Sequence, residues 1–276
     1  MPAPQAQLLA QLTKTNLIAK NIKVPMNWQA PGGQYSDAFA PADLSVPPNP
    51  PTCLFREATQ HRMHVDAAKK MSDDYEAYID AMSGAICGGI DQWMKTATIA
   101  GVMINGPVGM LAPGNVIGSP LTSLILGQAP KSSAQELKYS NAIASAIGAA
   151  WQTWHMGLSG ALSYPAFAAF PGPVAPPTPS IPMPLIAFAS GGEALLAGAP
   201  LSAQMVATFA DPAAPHASEL FDALANAFAT AFQMFKLSTL VQNVLGTGPI
   251  PTFAPPIIPM GPVLGGVGTG APGCIA

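Results

Sequence analysis

The reading turns on Gly106-Pro107-Val108, with Pro113, Pro120 and Pro130 behind it. At one constant offset it returns as Gly248-Pro249-Ile250 with Pro255, Pro262 and Pro272. The last proline follows alanine both times, as Ala129-Pro130 and Ala271-Pro272. Between them stands Gly172-Pro173-Val174, with Pro179 and a displaced Ala199-Pro200. Self-similarity at this scale marks a chain built from one unit used several times.

Upstream of each Gly-Pro lies an apolar, alanine-rich helix pattern ending in an aromatic anchor: Trp93, Trp154 and Phe235. The first and third anchors precede their glycine by the same spacing. In the second copy the spacing is longer, with the extra residues near Tyr164 to Phe170. Counting back gives Tyr78, Met82, Ile86, Ile90, then Tyr139, Ile143, Ile147, Trp151, then Leu220, Leu224, Phe228, Phe232. Steps of four, then three, lay each set on one helical face. Beside it run small residues that let helices approach closely: Ala85 and Gly89, Ala146 and Ala150, Ala227 and Ala231. Asp80, Asn141 and Asp222 recur at one place near the starts. Asp73 with Glu76, and Ser133 with Glu136, read as capping boxes, whereas the third copy has only Ser218-Glu219.

The spacing predicts helices over 73–95, 134–156 and 219–236. The connectors 96–104 and 237–245 suit strand or helix equally. The proline-spaced strips are expected to lie over a surface in polyproline or turn conformation, because proline cannot donate to an internal strand ladder. The expected fold is therefore mainly α. It comprises three repeated units, each a helix followed by a Pro/Gly-rich extended strip, with an extended N-terminal arm. The boundaries are 1–70 for the arm, then 71–131, 132–201 and 202–276 for the units. Within the arm, Gln5 to Ile22 suits a short helix, and Asn27 to Pro51 reads as an extended linker.

Charge is scarce in the 276 residues, 9% against about 25% in an ordinary domain. It is also unevenly placed. No Asp, Glu, Lys or Arg lies between Lys95 and Lys131, between Lys138 and Glu193, or after Lys236. A net charge of −3 with no basic run excludes the electrostatic footprint of a nucleic-acid binder. Cys53, Cys87 and Cys274 make neither a disulfide framework nor a paired-cysteine zinc site, and they suit a reducing compartment. The first twenty residues carry Lys14 and Lys20 around a polar stretch and do not read as a signal peptide. The final compartment stays open: synthesis in the cytoplasm is expected, and membership of a released particle is compatible with it.

Motifs for chemistry are few. Cys53, Arg56, His61, His64 and Asp66 form the one cluster with metal-ligand character, but no third and fourth ligand follow at a readable spacing. Ser159-Gly160 and Ser190-Gly191-Gly192 lack the flanks of a nucleophile elbow. Gly266, Gly268 and Gly270 end the chain with no helix behind them to hold a phosphate. Asp73, Asp74, Glu76 and Asp80 read as a helix start, Glu193 as a solvated surface charge, His155 as a polar helix edge, and the Trp and Phe anchors as core.

The expectation is a non-enzymatic protein with no catalytic, cofactor-binding or metal residues and no cofactor. It would be a structural subunit of a large multi-protein assembly, of the kind found in baseplates, spikes and tips of phage tails and contractile injection systems. Its partners would be other protein subunits, as a homo-oligomer or on a threefold-symmetric partner, with no nucleic acid. The alternative is a membrane-embedded or pore-forming protein, motivated by the uncharged tracts but not favoured. A metal-dependent hydrolase around His61 and His64 stands third.

Overall fold

The computed structural model describes residues 4–20, 22, 29–30, 33–34, 62–169, 172–212, 214–252 and 260–276. Helix α1 (Ala6–Ile18) is followed by the short strands β1 (Gln29–Ala30) and β2 (Gly33–Gln34). The first long helix, α2 (Arg62–Thr96), runs into β3 (Thr98–Gly106), β4 (Val108–Leu111), β5 (Val116–Ile117) and the short helix α3 (Leu121–Gln128). The second, α4 (Ala134–Met156), leads to β6 (Gly160–Ser163), β7 (Phe167–Ala168), β8 (Val174–Pro179), β9 (Met183–Pro184) and α5 (Gly198–Phe209). The third, α6 (Ala217–Ser238), leads to β10 (Leu240–Val241), β11 (Val244–Pro249), β12 (Met260–Gly261) and β13 (Val263–Gly270).

The expected mainly-α class is wrong. Among the described residues about 53% are helix and 23% strand, with one seven-stranded antiparallel sheet. The sheet order is β6-β4-β3-β13-β11-β8, with β5 paired to β3. The error lay in the strips, whose prolines flank the paired runs instead of filling them. Pro107 sits in the β3–β4 turn, where Gly106 takes φ +69° as a tight hairpin requires. Pro120 caps α3. Val108–Leu111 between them carries no proline and pairs on both sides. The strand with prolines in its interior, β8, ends the sheet order, where missing donors cost no ladder bond. Both connectors became strands.

The sheet curls almost into a barrel. The Ile181 amide, just past β8, donates to the Ser163 carbonyl at the end of β6 (2.8 Å), which joins the two ends of the strand order. Buried Tyr164 stands inside the curl. A Cβ on Gly109 of β4, Gly246 of β11 or Gly268 of β13 would lie 2.7–2.8 Å from its ring or hydroxyl, so glycine alone fits at these three inward positions.

Strand register reveals a threefold plan. The first residue of each returning strand pairs with the last of the next outgoing one: Val108 with Ser163, Val174 with Pro249, and Val263 with Gly106. The Tyr164 amide donates to the Pro107 carbonyl and the Ile250 amide to that of Pro173, both at 2.8 Å. The third donor position falls on Pro107, which has no N–H. What recurs is thus a helix feeding an antiparallel strand pair. The step that opens each returning strand is Gly106-Pro107-Val108, Gly172-Pro173-Val174 and Gly261-Pro262-Val263. Pro249 closes an outgoing strand and is not the counterpart of Pro107.

The helices follow the same plan. Short α3 lies between α2 and α4, and short α5 between α4 and α6. Helix α1 lies between α6 and α2, so the N-terminus supplies the third short helix. Lys14 of α1 pairs with Asp80, and Lys20 just beyond it with Asp222, two of the three recurrent acidic or amide positions. The long helices bury their expected faces from Met82, Tyr139 and Leu220 to their anchors. Trp93 meets Trp151 at 5.2 Å, Trp154 meets Phe232 at 5.0 Å, and Trp151 meets Phe235 at 5.6 Å, so the three anchors share one aromatic centre. The Ser133–Glu136 capping box forms. The Asp73–Glu76 one does not, because α2 begins at Arg62 and both residues lie within it. No breaker interrupts residues 62–72.

Candidate functional site: the uncharged flank of the barrel

Alternation along each strand sends one set of side chains inward and the other outward. Val102, Ile104 and Leu111 are buried, while Met103 and Met110 face out. Register places the outward residues in a row: Ala161, Met110, Met103, Val267, Thr247. Met103 is 64% exposed, Met110 53% and Val267 50%. Leu245 and Leu264 add apolar surface on the β11–β13 pair, and Val174 and Ile181 on the β8 side. None of the described strands carries a charged residue. The uncharged tracts of the sequence therefore hold this barrel, and among the described residues the charges lie on the helices and at their ends.

One ion pair stands apart. Lys236, buried in the last turn of α6, places Nζ 2.7 Å from both carboxylate oxygens of Glu193 and 5.8 Å from the Phe232 ring. Gln233 also donates to Glu193. Burial pushes the Glu193 carboxyl up, but the hydrogen bonds from Lys236 and Gln233 outweigh it and hold the group below its usual range. Glu193 is thus a structural partner and not a lone solvated charge. His155 is buried beside Trp93, and its Nδ1 donates to the Trp151 carbonyl at 3.0 Å. Burial pulls it below the ordinary imidazole value.

The motif residues do not assemble into a reactive centre among the described residues. Cys53, Arg56 and His61 lie outside them. His64 and Asp66 fall in the first turns of α2, and no described group of three His, Cys, Asp or Glu side chains is placed to hold a metal. Cys87 and Cys274 are buried free thiols pushed up to about 12 and about 11, which suppresses the reactive thiolate. Gly266, Gly268 and Gly270 are inward positions of β13. Ser159 bridges to Ala189, and the Ser190 hydroxyl donates to the Trp154 carbonyl, so both serve the backbone. Asp74 pairs with Lys70, Glu76 and Asp80 with Lys14.

The uncharged tracts announce an uncharged surface without its shape. The missed signal was Gly261-Pro262-Val263, a third copy of the step hidden by a longer intervening loop. No family model, no curated protein and no solved structure matches this chain.

Proposed function

We propose that the chain is a non-enzymatic structural subunit of a large multi-protein assembly, a baseplate, spike or tip piece of a phage-tail or contractile-injection type of machine. It docks through the flank of its barrel onto a threefold-symmetric protein partner. The observation that carries this reading is the register-level threefold barrel with an uncharged, apolar outer row. An exposed apolar patch of this kind marks a contact surface. A near-threefold body meets three equivalent partner surfaces with nearly the same contacts each time.

The same flank favours a second reading, contact with lipid. Strand length weighs against it. Strands β4 and β6 have 4 residues and β8 and β11 have 6, against the roughly 9–11 of a spanning strand. No helix among the described residues is long and apolar enough to cross a membrane. The test is native mass spectrometry of the particle recovered from source cells through an affinity tag. One copy of this chain on three copies of a partner chain supports the proposal. A chain that leaves the membrane fraction only in detergent, with no protein partner, overturns it.

A further inference from the structure

At the end of the helix ring away from the barrel, α2 runs about three turns past the starts of α4 and α6. Beside it opens a cleft of about 380 Å³. Its floor is the first layer of the recurrent faces, Tyr78, Tyr139 and Leu220, and its walls include Tyr75, Asp74 and Glu136. The phenols are fixed from behind. Tyr78 Oη lies 3.3 Å from Ser140 Oγ, and the Tyr75 hydroxyl contacts the Pro215 carbonyl at 3.4 Å. Tyr78 and Tyr139 meet edge to face at 6.1 Å.

We infer that this cleft binds an organic cation, an alkylammonium group, between the tyrosine rings and the Glu136 carboxylate, with the Lys70-paired Asp74 at its wall. The ring faces of tyrosine carry negative potential and attract a cation most strongly where water is partly excluded. Among the described residues no Lys, Arg or His lines the cleft. Glu136 is held by the amides of Ser132 and Ser133. The neighbouring cations are each engaged: Lys70 pairs with Asp74 of the cleft wall at 2.8 Å, and Lys138 pairs with Asp211. The phenols bear out the negative setting. Burial pushes Tyr75, Tyr78 and Tyr139 up, and carboxylates add to it: Glu219 at Tyr75 and Tyr139, and Glu136 at Tyr78. The cation's source is either a free amine or a lysine side chain of a partner segment.

The inference stands independently of the assembly proposal, since it concerns the opposite end of the molecule. The experiment is calorimetric titration of the purified full chain with choline and with its neutral isostere 3,3-dimethyl-1-butanol. Choline should saturate, with the isostere at least about fivefold weaker, the ratio that about 1 kcal/mol of cation–π attraction gives. Glu136→Gln, which keeps a capping side chain, and Tyr75→Leu should each weaken choline about threefold or more. Tyr139→Leu should do so more strongly, but it also removes packing on Phe209 and Phe221, so the other two variants decide the matter if it fails to fold. A lysine pentapeptide with blocked ends binding more tightly than n-butylamine assigns the cation to a protein segment, and equal affinity assigns it to a free amine. Equal binding of choline and isostere, no saturation by about 50 mM, or unchanged affinity in Glu136→Gln and Tyr75→Leu overturns the inference.

Discussion

Tyr164 shows how single residues decide this fold. Its ring fills the curl that Gly109, Gly246 and Gly268 leave open, and its buried hydroxyl has no hydrogen-bond partner among the described residues. Tyr164→Phe keeps the ring and removes an unsatisfied polar atom, so stability should hold or rise by up to about 1 kcal/mol. Tyr164→Ala leaves a void that no glycine can fill and should cost about 3–5 kcal/mol. Urea unfolding of the two variants measures both. The Lys236–Glu193 pair makes a second residue-scale prediction. Glu193→Gln leaves Lys236 buried beside a neutral amide and should cost about 1–2 kcal/mol. That is less than a fully buried pair, because Glu193 keeps 31% of its side chain exposed. The folded carboxyl lies below its ordinary 4.5, so its contribution is complete above that pH and is lost as pH falls through the folded value. The gap between wild type and Glu193→Gln should therefore close in acid. His155 acts in the same direction from a higher pH. Its folded value lies below 6.5, so stability is full above 6.5 and declines as pH drops toward the folded value. His155→Phe should flatten that upper part of the curve. At this scale the sequence was only partly readable. The helix anchors were evident because a period of 3.6 is local. Tyr164 was not, because the three glycines that enclose it come from strands far apart in the chain.

Among elements, the place of α1 was not revealed by the sequence. It was expected to lie in an arm outside the recurring unit, yet it closes the ring between α6 and α2. Its Leu9 and Leu17 are fully buried, and Asn16 donates to the Ala223 carbonyl. Leu17→Ala should cost about 2–4 kcal/mol in urea unfolding, as for a core leucine and unlike a residue of a loose arm. A cost under about 0.5 kcal/mol would place α1 outside the core. The long helices were legible because each carries its own apolar face. The strands were not, for two reasons. Runs such as Val108–Leu111 are too short to show alternation. The loop before each returning strand also differs in length, from the two residues of the β3–β4 turn to the stretch between Pro249 and Val263. One constant offset therefore sets Pro107 against Pro249 and Pro120 against Pro262, whereas the strand register makes Pro262 the counterpart of Pro107.

For the whole molecule, charge and shape divide the same way. Among the described residues the helices and their ends carry the charges, and the strands carry none. A body that stays soluble alone scatters charge over its surface. This one leaves Met103, Met110, Val267 and Leu245 exposed on an uncharged flank, and that asymmetry is the basis for placing the partner there. The flank was foreshadowed by the uncharged tracts, but its threefold register needed the paired strands. Glutamate at Met103 and Met110 puts charge in the middle of the row without touching the interior, so the fold should survive and association should not. The most direct measurement is mass photometry of the purified chain at submicromolar concentration, beside the double variant Met103→Glu/Met110→Glu. The account predicts that the wild type forms particles heavier than the chain mass of 28.2 kDa and that the variant runs at that mass with an unchanged circular dichroism spectrum. A wild-type chain that is a well-behaved monomer of 28.2 kDa, without partner or detergent, would contradict it.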